Sequence, residues 1–138
     1  MAMSETLEHP MGAEILLVED DDDTAIMLRH FLELHGYATK WVRSGHGAVE
    51  LVRQRRSTHQ PVPALILLDL GLPDVDGTAV FDELSNDGVD LPPIVVASAR
   101  PEHEIVSAAR HVKAAAFARK PFSLHQMLRA IQDVIDRS

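Results

Sequence analysis

The densest group of acidic residues in this chain directly follows a short apolar segment. Four aliphatic residues at positions 15–18 run into five consecutive carboxylates that begin with Glu19 and Asp20. Another carboxylate, Asp69, follows the aliphatic residues 65–68 in the same way. Carboxylates about 4 Å apart repel each other by about 4 kcal/mol at an effective dielectric constant of about 20, so such a group takes up protons or binds a cation. The pattern predicts a site for a hard divalent cation such as Mg²⁺.

Two further polar residues supply groups that would complement an acidic site of this kind. Ser98 and Lys120 lie near the ends of the apolar segments at residues 93–99 and 115–120. A lysine ammonium pairs well with phosphate, and a serine hydroxyl can donate to a phosphoryl oxygen. An aspartate, a divalent cation, a lysine and a hydroxyl together describe phosphoryl transfer onto a carboxylate nucleophile, for which Asp69 is the candidate.

The segments that must position these residues alternate between strand and helix patterns. Aliphatic runs predict buried strands at residues 14–19, 64–70 and 93–99, with weaker candidates at 37–42 and 115–120. Stretches with helical spacing of apolar residues follow each of them. Five strand–helix repeats predict an α/β domain with a doubly wound parallel sheet and helices on both faces. Ligands bind beyond the carboxyl ends of the strands in such sheets, where the polar residues fall.

Capping residues and apolar spacing indicate where the helices lie. The first helix is marked by Ile26, Leu28, Phe31, Leu32 and Leu34. We expect it to end at Gly36, and we expect the later helices to begin near Ser44, at Gly77, after Pro101 and at Ser123. The polar residues 53–64 are expected to form a loop. The acidic residues 21–23 lie where the helix dipole favours anions, and we expect them to cap the first helix.

Length, composition and charge exclude several classes of protein. The 138 residues suit one domain, expected at residues 14–138 after a flexible N-terminal leader at 1–13. The net charge of −8 argues against a nucleic-acid interface and against a polybasic membrane anchor. There is no cysteine, which excludes disulfides and suits the cytoplasm. No apolar run approaches the roughly 18 residues that a membrane span needs.

Taken together, the motifs resemble those of the receiver domains of response regulators in two-component signalling, of the chemotaxis type. The resemblance covers residues 14–136 and rests on "ILLVEDD", "LILLDLGLPDVDG", "VVASA" and "ARKPF". It implies a flavodoxin-like, five-stranded parallel sheet with strand order 2-1-3-4-5. It also implies a cytoplasmic signalling switch controlled by phosphorylation, either a stand-alone receiver or one excised from a larger protein.

The resemblance implies a role for each acidic residue of the site. Asp69 matches the phosphoacceptor. Glu19 and Asp20 match the acid pair that binds Mg²⁺ or Mn²⁺ together with Asp69. The backbone carbonyl of Gly71 matches a further ligand of that cation. The family usually has a larger side chain at this last position, so Gly71 is expected to change water access to the acyl phosphate and its lifetime.

Other residues match the positions that bind and sense the phosphoryl group. Ser98 and Lys120 would contact phosphoryl oxygens, and the peptide bond between Lys120 and Pro121 is expected to be cis. Phe117 matches an aromatic switch that moves inward with the serine hydroxyl, coupling the site to the face of the fourth helix, fifth strand and fifth helix. Asp74 and Gly77 match the turn after the acceptor, with a structural role. The segment before the fifth strand lacks the family's glycine–acid pattern, so its turn is expected to differ.

The resemblance also implies the partners. A histidine kinase or a histidine phosphotransfer protein would donate the phosphoryl group, and an unidentified downstream protein or a second copy of the chain would bind the signalling face. The domain would catalyse only its own phosphorylation and dephosphorylation. No direct contact with nucleic acid or a membrane is expected.

Two alternative functions stay open from the residues alone. A receiver-like scaffold would bind partners without phosphorylation and would not respond to Mg²⁺ or beryllofluoride. A small metal-dependent phosphohydrolase would use Asp20 as its nucleophile, because Asp20, Asp22 and Thr24 resemble the D-x-D-x-T motif of haloacid dehalogenases. The eight histidines have no shared metal-binding spacing and are expected to face solvent or partners.

Overall fold

The computed structural model describes residues 12–72, 74, 76–88 and 90–137, and most of the expected N-terminal leader at 1–13 lies outside them. Strands and helices alternate throughout this part of the chain. In order, they are β1 Glu14–Val18, α1 Asp22–Leu34, β2 Ala38–Val42, α2 Gly45–Ser57, β3 Leu65–Asp69, α3 Gly77–Ser85, β4 Ile94–Ser98, α4 Glu102–His111, β5 Ala116–Arg119 and α5 Leu124–Arg137. Each strand lies within its predicted range and is one or two residues shorter.

The strands form one parallel sheet in the order β2-β1-β3-β4-β5, which confirms the predicted fold. Val18 pairs with Leu68 across β1 and β3, so the residues that follow these two strands emerge side by side. Ser98 pairs with Arg119 across β4 and β5, which brings Lys120 to the same edge of the sheet. The register therefore gathers the chemistry-bearing residues at the carboxyl edge.

The hydrophobic core is divided into two layers by the sheet. On one face, Leu16 and Leu68 belong to a buried cluster with Val80 of α3 and Ile105 of α4. On the other face, alternate strand residues pack with α1 and α5, and this second cluster includes Leu17, Leu67, Leu28, Leu32 and Ile131. Each fully buried aliphatic side chain contributes roughly 1.5–3 kcal/mol, which fixes the strands that carry the site.

Most helix boundaries follow the predicted capping signals. The side chain of Ser44 accepts a hydrogen bond from the backbone N–H of Gly47 and caps α2. Pro101 occupies the N-cap of α4. Gly36, just beyond α1, has φ +91°, which an L side chain rarely adopts. None of the described helices is both long enough and apolar enough to cross a membrane.

The loop predicted over residues 53–64 is wrong for its first part, because α2 continues to Ser57. The arginines that made this segment look like a loop are good helix formers, and two of them pair with acids on neighbouring elements. Arg53 donates to both carboxylate oxygens of Asp87 at 2.9 Å. Arg55 lies 2.7 Å from the carboxylate of Glu14. These pairs stabilise a helical turn that carries few apolar residues.

The apolar residues of α1 do not all face the core. Leu28 and Leu32 are buried, whereas Ile26 and Leu34 are 56% and 68% exposed. The spacing of the apolar residues predicted the position of this helix correctly. It also predicted a wider buried face than the helix has.

Candidate functional site at the carboxyl edge of the sheet

Three carboxylates converge at the carboxyl edge, as predicted. Glu19, Asp20 and Asp69 each offer an oxygen, and these oxygens all lie within 4.8 Å of one another. Glu19 is buried, Asp69 is nearly buried at 9% exposure, and Asp20 is exposed. Hard oxygen donors with one exposed member suit a divalent cation that keeps some of its water. Among the described residues, no other group of three histidine or acidic side chains meets this geometry.

Lys120 supplies the positive charge of the site. Its Nζ atom lies 2.6 Å from Oε1 of Glu19 and 3.6 Å from Oδ2 of Asp69. The Lys120 backbone N–H donates to the Ser98 carbonyl at 2.7 Å, which fixes where the side chain begins. The peptide bond from Lys120 to Pro121 is cis, as expected. One ammonium therefore lies among acids from two other strand ends.

The charges of this group shift one another's protonation. Burial raises the pKa of Glu19, and the charge of Asp69 adds to the rise, although the hydrogen bond from Lys120 partly offsets it. Burial acts to lower the pKa of Lys120, but its hydrogen bond with Glu19 and the charge of Asp69 outweigh that effect, so this pKa is raised. Lys120 therefore stays charged at neutral pH, and the excess negative charge falls on the carboxylates.

The remaining acids of the run after β1 lie at the start of α1, where they were predicted to cap the helix. The side chain of Asp21 caps α1 by accepting from the Thr24 backbone N–H at 2.9 Å, and bonds with Thr24 lower the pKa of Asp21. Asp22 forms an ion pair with Arg43 instead of pointing into the site. Both contacts hold the loop that carries Asp20.

Ser98 ends β4, the strand that pairs with the acceptor's strand, and Gly71 lies two residues after the acceptor. Ser98 is 1% exposed, and its Oγ accepts from the Arg100 backbone N–H at 3.0 Å. The Gly71 backbone N–H donates to Oδ1 of Asp69 at 3.2 Å. A Cβ atom at Gly71 would meet no atom within 4 Å, so the space beside the acceptor is open.

The turn after the acceptor has the structural role expected of it. Asp74 accepts from the backbone N–H groups of Gly45 and His46 at 2.9 and 3.0 Å, which ties the turn to the start of α2. Gly77 begins α3 so close to the acceptor strand that an added Cβ would lie 2.7 Å from the Asp69 carbonyl oxygen. A side chain at this position would displace the backbone of the acceptor.

Two contributors to the site were missed from the sequence. Arg100 donates to the Leu70 carbonyl at 3.4 Å and to Asp76 at 3.1 Å, and thus links the loop after β4 to the N-cap of α3. The Trp41 indole donates to the backbone carbonyl of Glu19 at 2.8 Å. The sequence does show a tryptophan and an arginine near the ends of strands. It does not show which backbone carbonyls they bond, because that depends on the direction of each side chain.

The aromatic residue on β5 faces outward. Phe117 is 48% exposed and lines a groove of about 280 Å³ together with Pro121, Phe122 and Met127. The turn that leads into β5 uses Lys113 with φ +54° where the expected glycine is missing. A residue with a side chain thus takes the left-handed conformation that glycine favours, and the expectation of a different turn stays a prediction.

Comparisons with known proteins agree with this geometry. A family model described as the response regulator receiver domain matches residues 15–132. The chain is 30% identical over 128 residues to the response regulator MprA of Mycolicibacterium vanbaalenii, covering 93% of this chain and 52% of that protein. It is 27% identical over 123 residues to the probable methanogenesis regulatory protein FilR2 of Methanothrix harundinacea, covering 87% and 79% of the two chains. The chain therefore spans about half the length of the MprA proteins it matches.

A solved structure supports the same assignment at the level of the fold. The signal receiver domain of a putative Luxo repressor protein from Vibrio parahaemolyticus matches with a TM-score of 0.79 and 24% identity, covering 92% of each chain. At that identity the likeness establishes the fold alone. Because the family model extends over most of the sequence, the chain belongs to the response regulator receiver domain family of two-component signalling.

Proposed function

We propose that this receiver domain is a signalling switch that accepts a phosphoryl group on Asp69. The observation that carries the proposal is the position of Lys120, whose ammonium lies 3.6 Å from Asp69 within a group of three carboxylates. A nucleophilic carboxylate needs positive charge nearby to tolerate an incoming phosphoryl group. The same acids alone would repel it.

The donor in this proposal is a phosphohistidine on a histidine kinase or a histidine phosphotransfer protein. An oxygen of Asp69 attacks phosphorus, and the new O–P bond forms as the P–N bond breaks. The bonding electron pair of the P–N bond stays on the leaving imidazole nitrogen. Hydrolysis ends the phosphorylated state. Water attacks the same phosphorus, the O–P bond to Asp69 breaks, and inorganic phosphate leaves as the carboxylate is restored. The domain acts on no other substrate.

Each neighbouring residue has a defined task in this step. Lys120 neutralises charge on one phosphoryl oxygen, and the Ser98 hydroxyl donates a hydrogen bond to another. Glu19, Asp20, Asp69 and the carbonyl of Gly71 would hold Mg²⁺ or Mn²⁺. That cation, when bound, supplies electrostatic stabilisation of the charge that develops on the transferring group.

The output of the switch is proposed to be the face formed by α4, β5 and α5. Movement of Ser98 toward the phosphoryl group would free space for Phe117, which is on the adjacent strand and exposed at present. Exchange between outward and inward positions of this ring would alter the groove beside α5, where a downstream protein or a second copy of the chain would bind.

Labelling with a small phosphodonor tests the proposal. Acetyl phosphate with Mg²⁺ is expected to phosphorylate the wild-type chain, and removal of Mg²⁺ with a chelator is expected to abolish the labelling. Asp69→Asn should not be labelled, whereas Asp20→Asn should be labelled more slowly and should need more Mg²⁺. Labelling that survives in Asp69→Asn but disappears in Asp20→Asn would instead support the phosphohydrolase. Absence of any response to Mg²⁺ or beryllofluoride would support the scaffold.

A further inference from the structure

The end of β2 lies directly against the loop that carries the proposed cation ligands. The Trp41 indole Nε1–H donates to the backbone carbonyl of Glu19 at 2.8 Å. The Glu19 backbone N–H donates to the carbonyl of Val42 at 3.1 Å. Both backbone polar groups of Glu19 are therefore bonded to two consecutive residues of β2. The second of these bonds is part of the normal continuation of the sheet, whereas the first depends on one side chain.

The indole is itself held in place on its other side. The Arg43 guanidinium lies over the ring, 4.3 Å from its centroid, and forms an ion pair with Asp22 in the first turn of α1. The inner part of the ring packs against the core cluster on the α1 and α5 face. The indole N–H is thus aimed at the carbonyl between the two acids by packing on one side and by a cation–π contact on the other.

We propose that Trp41 is a positioning residue for the cation site, acting through the peptide group that joins Glu19 to Asp20. This inference rests on the proposed function. The carboxylates of the site repel one another, and Asp20 is exposed and so is free to move away from the others. A bond to the preceding carbonyl restrains the peptide plane from which Asp20 projects. The ligands are then already ordered before the cation arrives, which raises its affinity.

The variant Trp41→Phe tests this directly, because phenylalanine keeps an aromatic face for Arg43 and removes only the N–H donor and the second ring. Loss of a hydrogen bond that orients a metal-binding residue typically weakens metal binding by about tenfold or more. We therefore expect Mn²⁺, titrated by the EPR signal of the free ion, to bind about tenfold more weakly. At saturating Mg²⁺, labelling by acetyl phosphate should return to the wild-type rate.

Thr39→Val on the same strand is the matched control. That variant loses the hydrogen bonds of the Thr39 hydroxyl with Arg29 and Glu33. Thr39 pairs with Ile15 near the start of β1, away from the acids of the site, so Mn²⁺ affinity should stay at the wild-type value. The inference is overturned if Trp41→Phe is folded and binds Mn²⁺ within twofold of the wild type. It is equally overturned if its labelling stays slow at saturating Mg²⁺. A wild-type chain that binds no Mn²⁺ and is not labelled on Asp69 would refute the proposed function itself.

A second measurement needs no variant at position 41. The chain has one tryptophan and one tyrosine, so fluorescence excited at wavelengths that tyrosine does not absorb reports this indole alone. Saturating Mg²⁺ should change the emission of Trp41 in the wild type, and the midpoint should shift to higher Mg²⁺ in Asp20→Asn. Emission that is indifferent to Mg²⁺ in a chain shown to bind Mn²⁺ would contradict the coupling between this side chain and the acids.

Discussion

The ammonium of Lys120 and the carboxylate of Glu19 are 101 residues apart in sequence and 2.6 Å apart in space. Their contact spans the carboxyl edge of the sheet. It joins the end of β5 to the end of β1 across the two strands that lie between them. Glu19 is buried and would be unfavourable there without a partner. The pair thus maintains the charge balance around Asp69 before any cation or phosphoryl group is present.

The raised pKa of Glu19 predicts how stability depends on pH in the absence of divalent cations. A carboxyl whose pKa is raised on folding binds protons more tightly in the folded state, so its contribution to stability is favourable below its ordinary value of 4.5 and is lost as pH rises through the folded pKa. Glu19→Gln removes this dependence. We expect the free energy of unfolding of the wild type, measured with urea from pH 4 to 8, to fall relative to that of Glu19→Gln as pH rises. Equal pH profiles for the two proteins would contradict this.

Divalent cations are expected to reverse that loss at neutral pH. In the proposed function Mg²⁺ would bind the folded site and not the unfolded chain. It should then raise the free energy of unfolding by an amount that grows with its concentration, about 2.7 kcal/mol at 100 times the dissociation constant. The melting temperature with and without Mg²⁺ measures this. Glu19→Gln should respond only at much higher Mg²⁺ than the wild type. A wild-type melting temperature that Mg²⁺ leaves unchanged would count against the site.

Two glycines near the acceptor should respond differently to the same substitution. A Cβ at Gly77 would lie 2.7 Å from the Asp69 carbonyl oxygen and 2.9 Å from the Leu70 Cα atom, whereas a Cβ at Gly71 meets nothing within 4 Å. Gly77→Ala should therefore lower the free energy of unfolding by about 1–3 kcal/mol, the usual effect of overpacking. Gly71→Ala should lie within about 0.5 kcal/mol of the wild type. Urea unfolding of the two variants measures this difference. Equal losses of stability would show that the close approach at Gly77 does not exclude a side chain.

The helix cap supplied by Asp76 should contribute to acid sensitivity. Burial acts to raise the pKa of Asp76, but the Thr78 backbone N–H and the Arg100 guanidinium outweigh it and lower that pKa. A lowered carboxyl pKa stabilises the fold above the ordinary value of 3.8 and loses that contribution as pH falls below it. Asp76→Ala should cost about 1 kcal/mol at neutral pH, from the lost cap. The difference in free energy of unfolding between Asp76→Ala and the wild type should shrink as pH falls from 4 to 2. A difference that grows as pH falls would contradict this explanation.

The turn before β5 offers a stabilising substitution. Lys113 has φ +54°, a conformation that costs a residue with a side chain about 1 kcal/mol or more relative to glycine. Lys113→Gly should raise the free energy of unfolding by about 0.5–1 kcal/mol after the greater freedom of glycine in the unfolded chain is counted. Lys113→Ala removes the same side chain but keeps the strain, and it should show no such gain. Alanine and glycine variants of equal stability would contradict the assignment.

The sequence was sufficient to predict the strands and the meeting of the acids. Buried strands of a parallel sheet are aliphatic throughout, and their carboxyl ends share one edge. The sequence alone therefore predicts that Glu19, Asp20 and Asp69 lie close together, as they do. Lys120 followed from the same reasoning. The extension of α2 was missed because its stability comes from arginine pairs with acids that are distant in sequence.

Side-chain directions were the second limit. The indole of Trp41 and the guanidinium of Arg100 reach backbone carbonyls 22 and 30 positions away along the chain. Such bonds depend on rotamers and strand register, which residue spacing does not encode. The outward position of Phe117 and the exposure of Ile26 and Leu34 have the same origin.

Mapping the phosphorylated residue tests the central proposal most directly. Borohydride reduces an acyl phosphate on aspartate to homoserine, which peptide mass spectrometry then locates. After treatment of the wild-type chain with acetyl phosphate and Mg²⁺, the account predicts homoserine at position 69 and at no other aspartate. Homoserine at position 20, or its absence from a chain that binds Mg²⁺ normally, would contradict it.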